Sequence, residues 1–291
     1  MINRELQRSL DKMDRHRNKR INGSAHGISG RALLECDMPE PVLLCDPWCP
    51  EGLLLNAGRP KVGKTTLLRQ KAVAMGNGAD FFGSPCKRAK VLFVSLEENS
   101  RLMRKKLKMA GYTAAEVENI EFYFDWPRGL EGAERLAEYL SEHPDVRYVV
   151  IDSLTRIREL PDQKKPAFIA DYEAMQHLHS ILTERPGIAI EVLHHTRKAK
   201  SDDPIDDISG TYGLTAACDG YFVMRHHAEG VELHVGGRLW DRDDSKFMLK
   251  RSNQRWLFDG VADDLTGDQR YTLDLLKHSG GMKPSELAKA R

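Results

Sequence analysis

The sequence predicts an α/β fold: a mainly parallel sheet flanked by helices, with antiparallel strands added late at its edge. Three observations carry this. From about residue 40, short apolar runs bounded by turns alternate with helix-like segments, the pattern of strands joined by crossover helices. Each early run ends in polar residues, which gathers them at the carboxyl edge where open α/β sheets bind ligands. Between residues 219 and 258 the pattern changes to four apolar runs separated by Gly or charged turns, as in hairpins.

In chain order, Leu53-Leu54-Leu55-Asn56-Ala57 reads as a strand running into Gly58, and residues 65–75 as the helix that follows. Residues 90–96 form a second buried strand, followed by a basic helix over 99–109. Residues 147–152 and 187–194 supply two more. Tyr221 to Met224, Val231 to Val235, Phe247 to Leu249 and Arg255 to Phe258 are read as antiparallel edge strands. At the start, residues 1–20 carry seven basic and three acidic side chains without an apolar stripe, and Asn22-Gly23-Ser24 follows as a breaker. At the end, an amphipathic helix over 268–278, the Gly280-Gly281 break and a helix opening at Pro284 resemble an incomplete winged helix or a small helical cap. The domain expectation is a basic tail or linker at 1–38, a core domain at 39–262 and a helical segment at 263–291. A chain of 291 residues suits one large α/β domain with appendages.

Composition narrows the partners. With 44 Lys and Arg against 43 Asp and Glu, the net charge is +1, so any hold on nucleic acid is local rather than a global field. No apolar run approaches the length of a bilayer span and the N-terminus is polar, which predicts a cytoplasmic protein without a membrane partner. Five cysteines in such a chain are expected to be free thiols, and Cys45-x3-Cys49 has no second pair to complete a tetrahedral zinc set.

The strongest chemical signal is Gly58-Arg59-Pro60-Lys61-Val62-Gly63-Lys64-Thr65, a full G-x-x-x-x-G-K-[ST] match between a predicted strand and a predicted helix. Glycines let main-chain N–H groups close around phosphate oxygens at the positive end of the helix. Gly58, Pro60, Lys61, Val62, Gly63, Lys64, Thr65 and Thr66 are therefore expected to bind ATP, with Lys64 on the β and γ oxygens and the Thr65 hydroxyl on Mg²⁺. Val149-Val150-Ile151-Asp152-Ser153 has the form of a Walker B strand, whose Asp152 orients the same Mg²⁺.

Residues 58–66, Ser95-Leu96-Glu97-Glu98 and His194-His195-Thr196-Arg197, in this order around the Walker B strand, make the chain resemble the RecA-like P-loop ATPases. Within them it is most similar to hexameric replicative helicases and plasmid- or phage-encoded RepA-type ATPases, over about residues 40–258. The resemblance implies that Glu97 orients the attacking water, with adjacent Glu98 as the alternative, and that His195 senses the γ-phosphate where the family often has Gln. It places DNA-binding loops at Arg197, Lys198 and Lys200, and at Arg156 and Arg158. Asp202, Asp203, Asp206 and Asp207 also lie in the first of these, which favours a solvated loop equally. It implies a homo-oligomer, ring or filament, completed by an arginine finger from Arg238 or Arg242. The function so implied is ATP hydrolysis driving work on single-stranded DNA as a helicase; a recombination ATPase or a nucleotide switch without DNA activity are the alternatives.

Overall fold

The computed structural model of the chain describes residues 29–35, 37, 40–160, 167–197, 201, 203–208, 214–215, 217–238 and 245–261. It falls into two compact units, residues 1–40 and 41–291. The first contains helix α1 (Gly30–Glu35), capped by the Ser29 hydroxyl, which accepts from the Ala32 amide at 3.1 Å. The expected C-terminal segment, 263–291, lies outside the described residues, as do most of those in the expected basic tail.

The second unit runs β1 (Leu43–Cys45), β2 (Cys49–Pro50), β3 (Gly52–Gly58), α2 (Lys64–Asn77), β4 (Asp80–Phe81), β5 (Ser84–Pro85), β6 (Lys90–Ser95) and α3 (Ser100–Met109). It continues with β7 (Ile120–Tyr123), α4 (Gly129–Glu142), β8 (Val146–Asp152), α5 (Leu154–Ile157), α6 (Ala167–Glu184) and β9 (Ala189–His195). Then come β10 (Gly220–His227), β11 (Gly230–Gly237), β12 (Ser245–Ser252) and β13 (Arg255–Val261). Nine strands form one sheet in the order β13-β12-β11-β10-β3-β9-β8-β6-β7. From β10 to β7 every pairing is parallel; from β10 to β13 every pairing is antiparallel.

The predicted core strands are β3, β6, β8 and β9. One strand differs from expectation: β10, read as an antiparallel edge, lies inside the sheet and pairs parallel with β3, Tyr221 opposite Leu55. It is antiparallel only to β11, and so joins the two halves. Its apolar run is flanked on both sides, which a run of four such residues cannot announce by itself.

Both faces of the parallel half are covered, which is why its strands are continuously apolar. Alternate residues feed opposite cores. Leu54, Phe93, Tyr148 and Val150 pack with Leu67, Leu68 and Met75 of α2 and Met103 of α3. Leu53, Leu55, Leu92, Val94, Val149 and Ile151 pack with Leu136 and Leu140 of α4 and Met175 and Leu178 of α6. Among the described residues, no helix is long and apolar enough to cross a membrane.

Beneath α2 the core holds a buried polar knot. The Lys71 ammonium donates to the Trp48 carbonyl at 3.0 Å and to Glu191 Oε2 at 2.9 Å, and lies 4.2 Å from the Phe222 ring centroid. Tyr148 donates its hydroxyl to Glu191 at 2.6 Å, and Asn56 donates its amide at 3.0 Å. Removing either charged member leaves the other buried without its counter-charge. Lys71→Met is therefore expected to cost about 3–5 kcal/mol in urea unfolding; a loss below about 1 kcal/mol would mean that the Lys71–Glu191 contact does not stabilise the core.

Candidate functional site

Parallel pairing carries the carboxyl ends of β3, β9, β8 and β6 to one edge. In register, Gly58 stands beside His195, and Ser95 beside Asp152. The loop from Gly58 to α2 turns there with Lys61 and Gly63 at φ 66° and 108°. Gly63 is required twice over: its backbone is left-handed, and a Cβ on it would lie 2.5 Å from the Trp256 ring. At Gly58 a Cβ would come within 2.9 Å of Val62 and 3.0 Å of the Met224 carbonyl.

A cavity of about 350 Å³ opens over this loop, lined by Pro60, Lys61, Gly63, Lys64, Thr65 and Thr66. Val62 is instead turned into the core. Lys64 is 6% exposed; its ammonium donates to the carbonyls of Gly58 at 2.7 Å and Arg59 at 3.1 Å, and lies 3.4 Å from His195 Nδ1. Burial lowers its pKa to about 8, against the opposing pull of Asp152 and Glu97. The Thr65 hydroxyl donates to Asp152 Oδ2 at 2.7 Å. Burial raises Asp152 to about 6, with the Thr65 hydrogen bond acting the other way.

Glu97 and Glu98 both line the cavity, but their partners diverge. Glu97 faces the cavity, where its Oε1 accepts from the Ser153 hydroxyl at 2.5 Å and stands 3.5 Å from His195 Nε2. First His195 and then Ser153 hold its carboxyl at about 2, against the effect of burial. Glu98 is engaged by two cations: Arg69, buried on α2, at 3.0 Å, and Lys106 of α3. Of the two carboxylates, Glu97 is the one within reach of both the phosphate-loop lysine and the histidine. His194, the neighbour of His195, is buried.

Thr65 and Asp152 offer two hard oxygen donors side by side, suited to Mg²⁺. Among the described residues no cluster of three or more His, Cys, Asp or Glu could cage a metal, so an ion at this position fits only if phosphate oxygens and water complete its shell.

The remaining sequence candidates scatter. Arg156 is exposed on α5. Arg158 is tied to Asp171 at 2.6 Å with its side chain 13% exposed, which takes it out of a free DNA-binding loop. Arg197 is exposed, and its amide donates to the Asp207 carbonyl at 2.6 Å. Asp207 is not a solvated loop acid: it is buried against Arg225 of β10 at 2.8 Å and accepts from Ser201. Arg238 is 63% exposed, with its guanidinium 4.0 Å from Asp219. Lys198, Lys200 and Arg242 lie outside the described residues.

Two cations that sequence reasoning did not assign also line the cavity, Lys106 and Arg251. Arg251 arrives on the β12–β13 hairpin, whose turn residues Asn253 and Gln254 are both left-handed. That hairpin folds over α2: the Trp256 indole donates to the Gly63 carbonyl at 3.1 Å, and the Gln70 amide exchanges two hydrogen bonds with the Trp256 backbone. Only the sheet's curl across α2 reveals this; an Arg-Ser-Asn-Gln-Arg-Trp turn has no phosphate signature of its own.

No curated protein sequence matches the chain. Its fold is similar to a KaiC-like protein from the hyperthermophilic archaeon Pyrococcus horikoshii, at 19% identity and TM-score 0.51 over 74% of this chain and 93% of that one. It is also similar to a DnaB-like replicative helicase, at 15% identity and TM-score 0.56 over 70% of this chain and 58% of that one. A third solved structure, an isolated ATPase domain, matches at 14% identity and TM-score 0.57, over 71% of this chain and 84% of that one. The model of the AAA domain family matches residues 30–201, more than half of the chain. With that match and the phosphate loop at the sheet's carboxyl edge, the chain belongs to the AAA domain family and is a P-loop ATPase of RecA-like fold.

Proposed function

We propose that the protein hydrolyses ATP with Mg²⁺ as a cytoplasmic homo-oligomer, and that turnover drives work on single-stranded DNA of the helicase kind. The observation that carries the reading is the convergence of Lys64, Thr65, Asp152, Glu97 and His195 on one cavity at one sheet edge. In this assignment the loop amides and Lys64 hold the β and γ phosphates, and Thr65 and Asp152 hold Mg²⁺. When bound, the ion supplies charge neutralisation along the phosphate tail. Glu97, anionic at neutral pH, orients a water on the γ-phosphate rather than storing its proton, which suits a reaction governed by positioning and electrostatics. The position of His195 between Lys64 and Glu97 supports a role in sensing the loss of the γ-phosphate.

Assembly is supported by the place of Arg238. Gly237 pairs with Gly220, and Gly220 with Leu54, so Arg238 sits at the amino end of β3. The phosphate loop begins at the other end, roughly 15 Å away at about 3.3 Å per residue. Within its own subunit Arg238 has no route to the triphosphate; as a finger it serves a neighbour's site, with Arg242 the alternative. Work on DNA is supported by the likeness to a replicative helicase and by Arg156 and Arg197, both exposed.

Glu97→Gln is expected to keep ATP binding in calorimetry while lowering kcat by about 10²–10⁴-fold; normal turnover would transfer the role to Glu98 or elsewhere. Because Lys64 is charged below about pH 8 and neutral above it, ATP affinity should hold below that pH. It should then fall as pH rises, by up to about tenfold per unit. Lys64→Ala and the double variant Arg238→Ala/Arg242→Ala should each be inactive, yet mixing them should restore activity at about one site in four by random assembly. No recovery in a mixture shown to co-assemble would remove the intersubunit finger. An ATPase rate indifferent to single-stranded DNA would favour a nucleotide switch.

A further inference from the structure

Helix α3 carries Arg101, Arg104, Lys105, Lys106 and Lys108 among ten residues, and no acidic one. Its two sides divide by helical spacing. Met103, Lys106, Leu107 and Ala110 turn inward, with Met103 and Ala110 buried and Lys106 held by Glu98. Arg101, Arg104, Lys105 and Lys108 stand at i, i+3, i+4 and i+7 and form one exposed stripe about 10 Å long. None of the four makes a hydrogen bond or ion pair with its side chain among the described residues.

This arrangement works against the helix. Like charges three and four residues apart repel, by about 0.2–0.5 kcal/mol per pair in isolated helices. Arg101 and Arg104 sit toward the positive end of the macrodipole, where acidic side chains are favoured. Among the described residues no acidic side chain pairs with any of the four to offset that repulsion. At the far end, Arg255 of the β12–β13 hairpin extends the positive surface: its Nε donates to the Ala110 carbonyl at 2.8 Å, with its guanidinium 4.1 Å from the Tyr112 ring centroid.

We infer that this stripe is a docking surface for a nucleic-acid phosphate backbone, separate from the loops at Arg156 and Arg197. A polyanion with a charge every few ångströms matches four unneutralised cations on one line. The acidic helix α4 of a second copy matches them less well. On the acidic helix α4, Arg135 already engages Glu138 at 3.1 Å and Glu142 at 3.8 Å, which leaves Glu131 and Glu134 against four cations. The stripe also lies where binding can be felt. Helix α3 starts three residues after Glu97, and its Lys106 lines the nucleotide cavity. The inference shares its nucleic-acid partner with the proposed function but not its loops.

The test is fluorescence anisotropy of a labelled single-stranded oligonucleotide and its duplex, without ATP, over a range of salt. It compares the full chain with Arg101→Gln/Arg104→Gln/Lys105→Gln/Lys108→Gln, and with the milder Arg104→Gln/Lys108→Gln should the first fail to fold. The expected result is binding weakened at least tenfold at low salt for the fourfold variant. Its log–log salt slope should be shallower by about 0.7 for each single-strand phosphate contact removed, with basal ATPase unchanged. Unchanged binding and slope, with ATPase still stimulated by DNA, overturns the stripe and leaves the motor reading standing. A change in solution mass with unaltered binding makes the stripe a subunit contact and equally overturns it. Absence of any binding by the unmodified chain removes both.

Discussion

The parallel alignment of β3, β9, β8 and β6 is the constraint on which the rest of this molecule depends. Because the four strands point the same way, their polar ends meet at one edge: Gly58 beside His195, Ser95 beside Asp152. A phosphate loop needs main-chain N–H groups free of ladder partners, and only a strand end leading into a helix provides them in number. Sheet polarity thus brings a cationic side chain, a hydroxyl and two carboxylates from segments far apart in sequence into one cavity. Antiparallel pairing of any one strand would send its residue to the opposite edge.

Burial then sets the chemistry. Lys64 and Asp152 lie in the same buried corner and each is pushed toward its neutral form, the lysine down to about 8 and the aspartate up to about 6. Both are therefore poised to gain from charge arriving from outside, phosphate for one and a divalent cation for the other. Glu97, half out of that corner and next to His195 and Ser153, is held the opposite way and stays anionic. Three ionisable groups within one cavity acquire three characters from their surroundings alone.

The antiparallel half of the sheet is more than an edge. By curling across α2 it sets Trp256 on Gly63, Arg251 at the cavity and Arg255 against the end of α3. The phosphate loop is thereby backed by residues nearly two hundred positions downstream. Its geometry is tied to the same hairpin that borders the basic stripe. At the other end of β11, Arg238 is carried away from the phosphate loop.

By itself the sequence determined what local spacing and short-range sterics can encode. This covers the α/β class, the four core strands and the loop of residues 58–65 with its glycines; Asp152 and Glu97 it offers only as candidates, the second through family resemblance and with Glu98 beside it. Each is a contiguous pattern whose residues serve a single strand, turn or helix end. Tertiary structure decided what depends on partners distant in the chain: that β10 is interior and parallel, that Glu98 is claimed by Arg69 and Lys106, that Arg158 and Asp207 are internally paired, and that Arg251 reaches the nucleotide cavity. The physical reason is that a side chain's role follows from which opposite charge, ring or carbonyl the fold places within a few ångströms of it, and sequence spacing holds no measure of that distance across a sheet.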